Sequence, residues 1–174
     1  MKILLGFTPF VAFMIAARFF DVIGGLIAGA IVASALVLRN LRAPKILEVG
    51  TLVVFVAITI YVFATHTTMS VIALRLCVDI GLFCVVLVSM LVRRPFTIQY
   101  AREQVPAEYW NSPQFLSINY MITAAWTAAF GVMVLAEAAL LALPAMPPAF
   151  GFGAIIAAMA GAAVFTRVYP RRRH

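Results

Sequence analysis

Five charged residues, Arg18, Asp21, Arg75, Asp79 and Glu137, lie inside or beside long apolar stretches, apart from the other charges of the chain. A charge in such surroundings is costly unless it is paired or hydrated. Arg75 and Asp79 are four residues apart, which puts them on one face of a helix and lets them neutralise each other. At about 1.5 Å per residue, Asp79 falls roughly 15 Å in from the nearer end of its apolar stretch, and Glu137 about two helical turns in from its own. Two chemistries are open to this group. Asp79 and Glu137 can take up a proton or a cation in a polar pocket between helices. Alternatively, the five form a salt-bridge network that fixes helix packing. Two cations and three acids nearly balance, which favours the network.

Other reactive side chains are few. His66 stands alone in a polar turn and His174 is the last residue. Cys77 and Cys84, seven residues apart on one helix, are about 10 Å apart along its axis and too far to bridge. There is no His/Cys cluster at metal-ligand spacing, no glycine-rich phosphate loop and no nucleophile elbow. The expectation is a protein without catalytic residues, cofactor or metal.

The elements that must position the five charges are membrane-embedded helices. A chain that is 65% hydrophobic and 11% charged cannot cover a water-facing surface with polar groups. Eleven of the thirteen Lys and Arg fall in four clusters: Lys2; Arg39, Arg42 and Lys45; Arg93, Arg94 and Arg102; and Arg167 with Arg171, Arg172 and Arg173. Basic flanks resist translocation, so all four clusters belong on the cytoplasmic side. Two crossings between successive clusters make six, in three hairpins, with both termini inside. The chain is expected to be all-α, a single polytopic transmembrane bundle over residues 1–174. Its net charge of +7 is a topology signal and does not point to nucleic acid, because no soluble module presents it.

The first span, Ile3 to about Phe20, is short and carries Pro9. The others are expected at Val22–Leu38, Ile46–Thr65, from after the polar turn Thr65–Thr68 to Val92, from about Phe115 to before Pro144, and Ala149 to about Thr166. Glu48, beside the second basic cluster, reads as an interfacial counter-charge. Arg18-x-x-Asp21-Val-Ile-Gly and Arg75-x-x-x-Asp79-Ile-Gly are faintly alike, as hairpin repeats can be. Gly25-x-x-x-Gly29, and Gly153, Ala157 and Gly161, are small residues at four-residue spacing, which lets helix backbones approach within the bundle or in a homo-oligomer. The only sizeable loop, 95–114, interleaves aromatic and charged residues. Such a segment lies in the headgroup zone, which favours a membrane-hugging linker; the alternative is a docking surface for a partner, with Tyr100, Arg102, Tyr109 and Trp110 as its candidates.

Leu5-x-Phe7-x-Pro9-Phe10 with its aromatic run and Asp21, then Arg93-Arg94-Pro95-Phe96, then Ile118-Asn119 and Trp126, Phe130 and Gly131, occur in an order that resembles the intracellular septation protein A family. The likeness covers most of the chain. It departs from the family in a wider gap between Asn119 and Trp126, and in having Glu137 where a neutral polar residue is expected, as in a divergent member. The resemblance implies a bacterial inner-membrane protein that supports envelope integrity, septation or envelope synthesis through contacts with other membrane proteins. It carries over no catalytic residue. The alternative is a small transporter or channel that uses Asp79 and Glu137 as proton or cation sites.

Overall fold

In a computed structural model that describes residues 2–170, with side chains from Leu5 onward, the chain is built from helices and contains no strand among those residues. Arg171, Arg172, Arg173 and His174 lie outside the described residues, as does the side chain of Lys2. Five helices are long and apolar enough to cross a membrane: α2 (Val22–Arg39), α3 (Ile46–Thr65), α4 (Val71–Leu91), α6 (Pro113–Ala142) and α7 (Pro148–Val168). The segment expected as the first span has a different form. A 3-10 stretch, Lys2–Phe7, leads into a twelve-residue helix α1 (Thr8–Phe19) with Pro9 in its first turn. Proline fits there because the amide it lacks would have no helical partner anyway. The chain divides into two compact units, Met1–Leu82 and Phe83–His174, with the boundary inside α4.

In unit 1, α1 packs on α2 and α2 on α3. Only Phe20 and Asp21 separate α1 from α2. The Asp21 carboxylate accepts from the Gly24 amide at 2.5 Å and caps α2. Gly25 and Gly29 then do separate jobs. A Cβ at Gly25 would fall 2.8 Å from the Ala17 Cβ and 3.0 Å from the Phe13 carbonyl oxygen, so α1 runs against bare backbone. At Gly29 a Cβ would fall among the ring carbons of Phe55 on α3. Gly81 on α4 likewise makes room for Val54 of α3. The core that results joins Phe13, Leu26, Phe55, Val62, Leu74 and Val78.

The turn between α2 and α3 is held from within. Asn40, which follows the last residue of α2, donates from Nδ2 to Glu48 Oε2 at 2.8 Å. Glu48 sits in the first turn of α3, where a carboxylate suits the helix dipole, and it is only 1% exposed. Glu48 is therefore an internal acceptor rather than an interfacial counter-charge. Residues 41–44 of the turn are exposed, whereas Lys45, which precedes α3, is 7% exposed.

In unit 2, α5 (Phe96–Ala101) packs on α6, and α6 on α7. The end of α4 explains where α5 begins. Arg94 N donates to Ser89 O at 2.9 Å and Arg93 N to Met90 O at 3.0 Å, the two bonds of a Schellman stop. Arg93 takes the left-handed conformation this stop requires (φ 56°), and Pro95 prevents resumption of the helix. Ser112 caps α6 by accepting from Phe115 N at 3.2 Å, and Pro113 occupies its first turn. At thirty residues α6 reaches about 45 Å, longer than a bilayer core, and starts within the expected loop. It meets α7 closely at Gly151, where a Cβ would fall against the Leu140 side chain. The expected packing stripe on α7 is not used in this way: no described atom lies within 4 Å of a Cβ built at Gly153 or Gly161.

Candidate functional site

Four of the five singled-out charges belong to unit 1 and Glu137 to unit 2. Asp79 is 6% exposed on α4, and Arg75 is half-buried one turn before it. Arg18 is exposed in the last turn of α1, where a cation complements the helix dipole. Asp21 is committed to the first amides of α2, and that capping role is sufficient to account for its position. The two similar Arg/Asp stretches thus adopt different structures, since Asp21 is a cap between helices and Asp79 lies in the third turn of one. Glu137 is fully buried on α6. The described residues contain no group of three or more His, Cys, Asp or Glu that could hold a metal ion.

Among the described residues, two grooves of unit 1 adjoin these side chains or their helices. The first, about 470 Å³ between α2 and α3, is apolar apart from the hydroxyls of Ser34 and Thr59. Both hydroxyls donate to carbonyls of their own helices, at 2.8 and 2.7 Å, so the groove offers little beyond dispersion contacts. The second, about 430 Å³, is lined from α1 and the start of α4 and includes both Arg18 and Arg75. The five charges are expected as one cluster, and this groove is lined by two of them, Arg18 and Arg75.

The 95–114 segment is more structured than a loop. Phe96, Thr97 and Tyr100 project from one face of α5 and are each at most 1% exposed. The Thr97 hydroxyl donates to the Asn119 carbonyl at 3.0 Å and lies 2.7 Å from Thr123 Oγ1, and these bonds latch α5 to α6. Tyr100 is therefore core, not surface. Arg102 and Tyr109 are exposed, with Tyr109 in a 3-10 turn, Ala107–Tyr109. The Arg102 guanidinium lies 5.1 Å from the centre of the Trp110 ring, and the Trp110 indole donates to the Val105 carbonyl at 2.9 Å. A cation over an indole face is electrostatically favourable, and it holds Arg102 against Trp110, the residue after Tyr109.

The Thr97 latch has a measurable consequence. Thr97→Val keeps the shape but leaves the Thr123 hydroxyl without this partner, at a cost of about 1–3 kcal/mol. Trypsin should then cut after Arg102 several-fold faster than in the wild type, while Thr97→Ser cuts at the wild-type rate. Equal cleavage in all three proteins would show that the hydroxyl does not hold α5.

Buried polar pairs also occur along α6. Trp126 donates to Thr166 Oγ1 of α7 at 2.9 Å, and Asn119 to the Phe115 carbonyl at 2.8 Å. Hydrogen bonds of this kind join or stiffen apolar helices where hydrophobic attraction between them is weak. The residues that the sequence marks out thus divide into an Arg-lined groove, two buried acids, and the exposed Arg102 and Tyr109 with a half-buried Trp110. Compared with known proteins, the chain matches no protein-family model, no curated protein and no solved structure.

Proposed function

We propose that the chain is a polytopic protein of the bacterial inner membrane that supports envelope integrity, septation or envelope synthesis by contacting other membrane proteins through its 95–114 segment. The observation that carries this reading is the construction of that segment: a buried face latched to α6, with exposed Arg102 and Tyr109 and a half-buried Trp110 outside it. Aromatic residues and arginine are the types enriched at the centres of protein contacts. A resemblance to the septation protein A family agrees with it. The six crossings would be α2, α3, α4, α6 and α7 together with the N-terminal segment. At about 2 Å per 3-10 residue and 1.5 Å per α residue, Lys2–Phe7 and α1 have a combined contour of about 30 Å, the thickness of a hydrocarbon core. The basic clusters then put both termini and the 95–114 segment in the cytoplasm.

A photo-crosslinking amino acid at position 109, in native membranes, is expected to give discrete protein adducts. The same residue at position 156, an exposed apolar site on α7, should give lipid adducts alone. Absence of protein adducts at 109 would overturn the docking role.

One observation favours a second reading. Asp79 and Glu137 are both buried in helices apolar enough to span a membrane, where carboxylates mark ion and proton paths. In that reading the protein is a small transporter or channel, and Asp79→Asn abolishes proton or cation flux into proteoliposomes.

A further inference from the structure

We propose that the groove between α2 and α3 seats an acyl chain of an anionic membrane phospholipid, whose phosphate is drawn by Arg39 at the end of the groove. This rests on α2 and α3 crossing a membrane and not on docking through the 95–114 segment. The groove, about 470 Å³, is lined on α2 by residues between Ile27 and Leu38 and on α3 by Val56, Thr59 and Ile60. At about 1.5 Å per residue, its α2 side is roughly 16 Å long. That is half of a hydrocarbon core of about 30 Å, the depth that the chains of one leaflet fill. Val56 lies about 15 Å along α3 from its start, close to the depth of Ile27 on α2, so both helices wall the deep end. Ala30, Ser34 and Ala35 are small, and the Ser34 and Thr59 hydroxyls are bonded within their own helices. What remains is apolar surface one leaflet deep, which suits a methylene chain.

The charge lies at the shallow end. Ile27, Ile31 and Ala35 line the groove at four-residue spacing, and Arg39, the last residue of α2, is next in that row. Arg39 is exposed, as is Arg42 in the turn that follows, and neither is paired with an acid among the described residues. The acid nearest to them in sequence, Glu48, is buried and accepts from Asn40. Arg39 thus keeps its charge for an anion from outside the chain. One guanidinium is sufficient for a phosphate, which it meets with parallel N–H donors, and Arg42 adds positive charge at the same turn. Basic residues at the membrane edge attract anionic headgroups, and here an apolar seat for the chain begins one residue away, at Leu38. A neutral lipid would use the groove without the arginine, and a free phosphate the arginine without the groove.

The full chain, purified in detergent and titrated with single lipids under native mass spectrometry, provides the test. Phosphatidylglycerol should bind more tightly than phosphatidylethanolamine with the same chains. Arg39→Gln should lower that preference by about fivefold, the effect of one basic residue beside an anionic lipid, and Arg39→Lys should keep most of it. Ala35→Phe fills the groove from an exposed position, so it should melt like the wild type and weaken both lipids together without changing their ratio. Glycerol phosphate at millimolar concentration, which has no chain, should displace neither lipid. The proposal is overturned if the wild type binds the two lipids equally, if Arg39→Gln keeps the full preference, if Ala35→Phe binds both like the wild type, or if glycerol phosphate displaces them. Alkaline extraction of membranes reads the membrane assignment separately. A chain that alkali strips from the membrane overturns that assignment and this site together, and one that stays but shows no headgroup preference loses this site alone.

Discussion

Gly29→Val is expected to lower the stability of the detergent-solubilised protein by about 3 kcal/mol or more, at the upper end of the range for overpacking a core. The added Cβ would fall within the ring of Phe55, which is fully buried. That ring cannot swing aside, because Phe10 and Phe13 pack against it with centroids 5.5 and 5.9 Å away. Gly25→Val should cost a similar amount for a different reason. Its Cβ approaches the carbonyl oxygen of Phe13, and only a shift of the whole α1 backbone relieves that clash. Gly153→Val and Gly161→Val meet open space and should stay within about 0.5 kcal/mol of the wild type. Thermal melts of the four variants in one detergent check the set. If the α7 variants lose as much as Gly29→Val, α7 is packed against something through its small residues and the assignment of close contacts is wrong.

That contrast also shows what spacing can and cannot disclose. Small residues four apart are equally visible in α2 and α7, because the pattern reports a shared face. Whether a backbone arrives at that face depends on where the other helices go. Gly81 and Gly151, both in close contact, belong to no four-residue stripe of small residues, and their contacts were illegible for the same reason. The long apolar helices were legible almost to the residue, since their ends are written in local chemistry: Asp21, Ser112 and the Arg93-Arg94-Pro95 stop. α5 was not, because six residues are too few to show a period, and its buried face includes a threonine whose partners are more than twenty residues away. The Asn40–Glu48 bond was hidden for a related reason, as it closes across a turn whose basic residues suggested only solvent and headgroups. In the candidate site, Asp79 and Glu137 stood out because isolated charges in apolar sequence are conspicuous. The pairing of Arg18 with Arg75 in one groove came from the fold of unit 1.

Arg75→Leu and Asp79→Leu are each expected to cost about 3–5 kcal/mol, and the double variant to recover part of that loss. Asp79 is 6% exposed and Arg75 half-buried one turn away on the same helix. Removing either charge leaves the other in a region where water compensates it poorly, whereas two leucines remove the electrostatic cost altogether. Melting temperatures of the three variants, arranged as a double-mutant cycle, measure the coupling directly. A double variant no more stable than the worse single variant would show that the two charges do not act as a pair. The transport reading predicts something else from the same position. If Asp79 works as a hydrated ion site, Asp79→Asn keeps its shape and its stability, and only flux into proteoliposomes is lost. A structural pair gives the opposite pattern, with Asp79→Asn less stable and no flux in either protein. Near-neutral balance among Arg18, Asp21, Arg75 and Asp79 is what helix packing requires, and a cation path would need an excess of acid that this end of unit 1 does not have. The expected outcome is therefore the coupled loss with partial recovery.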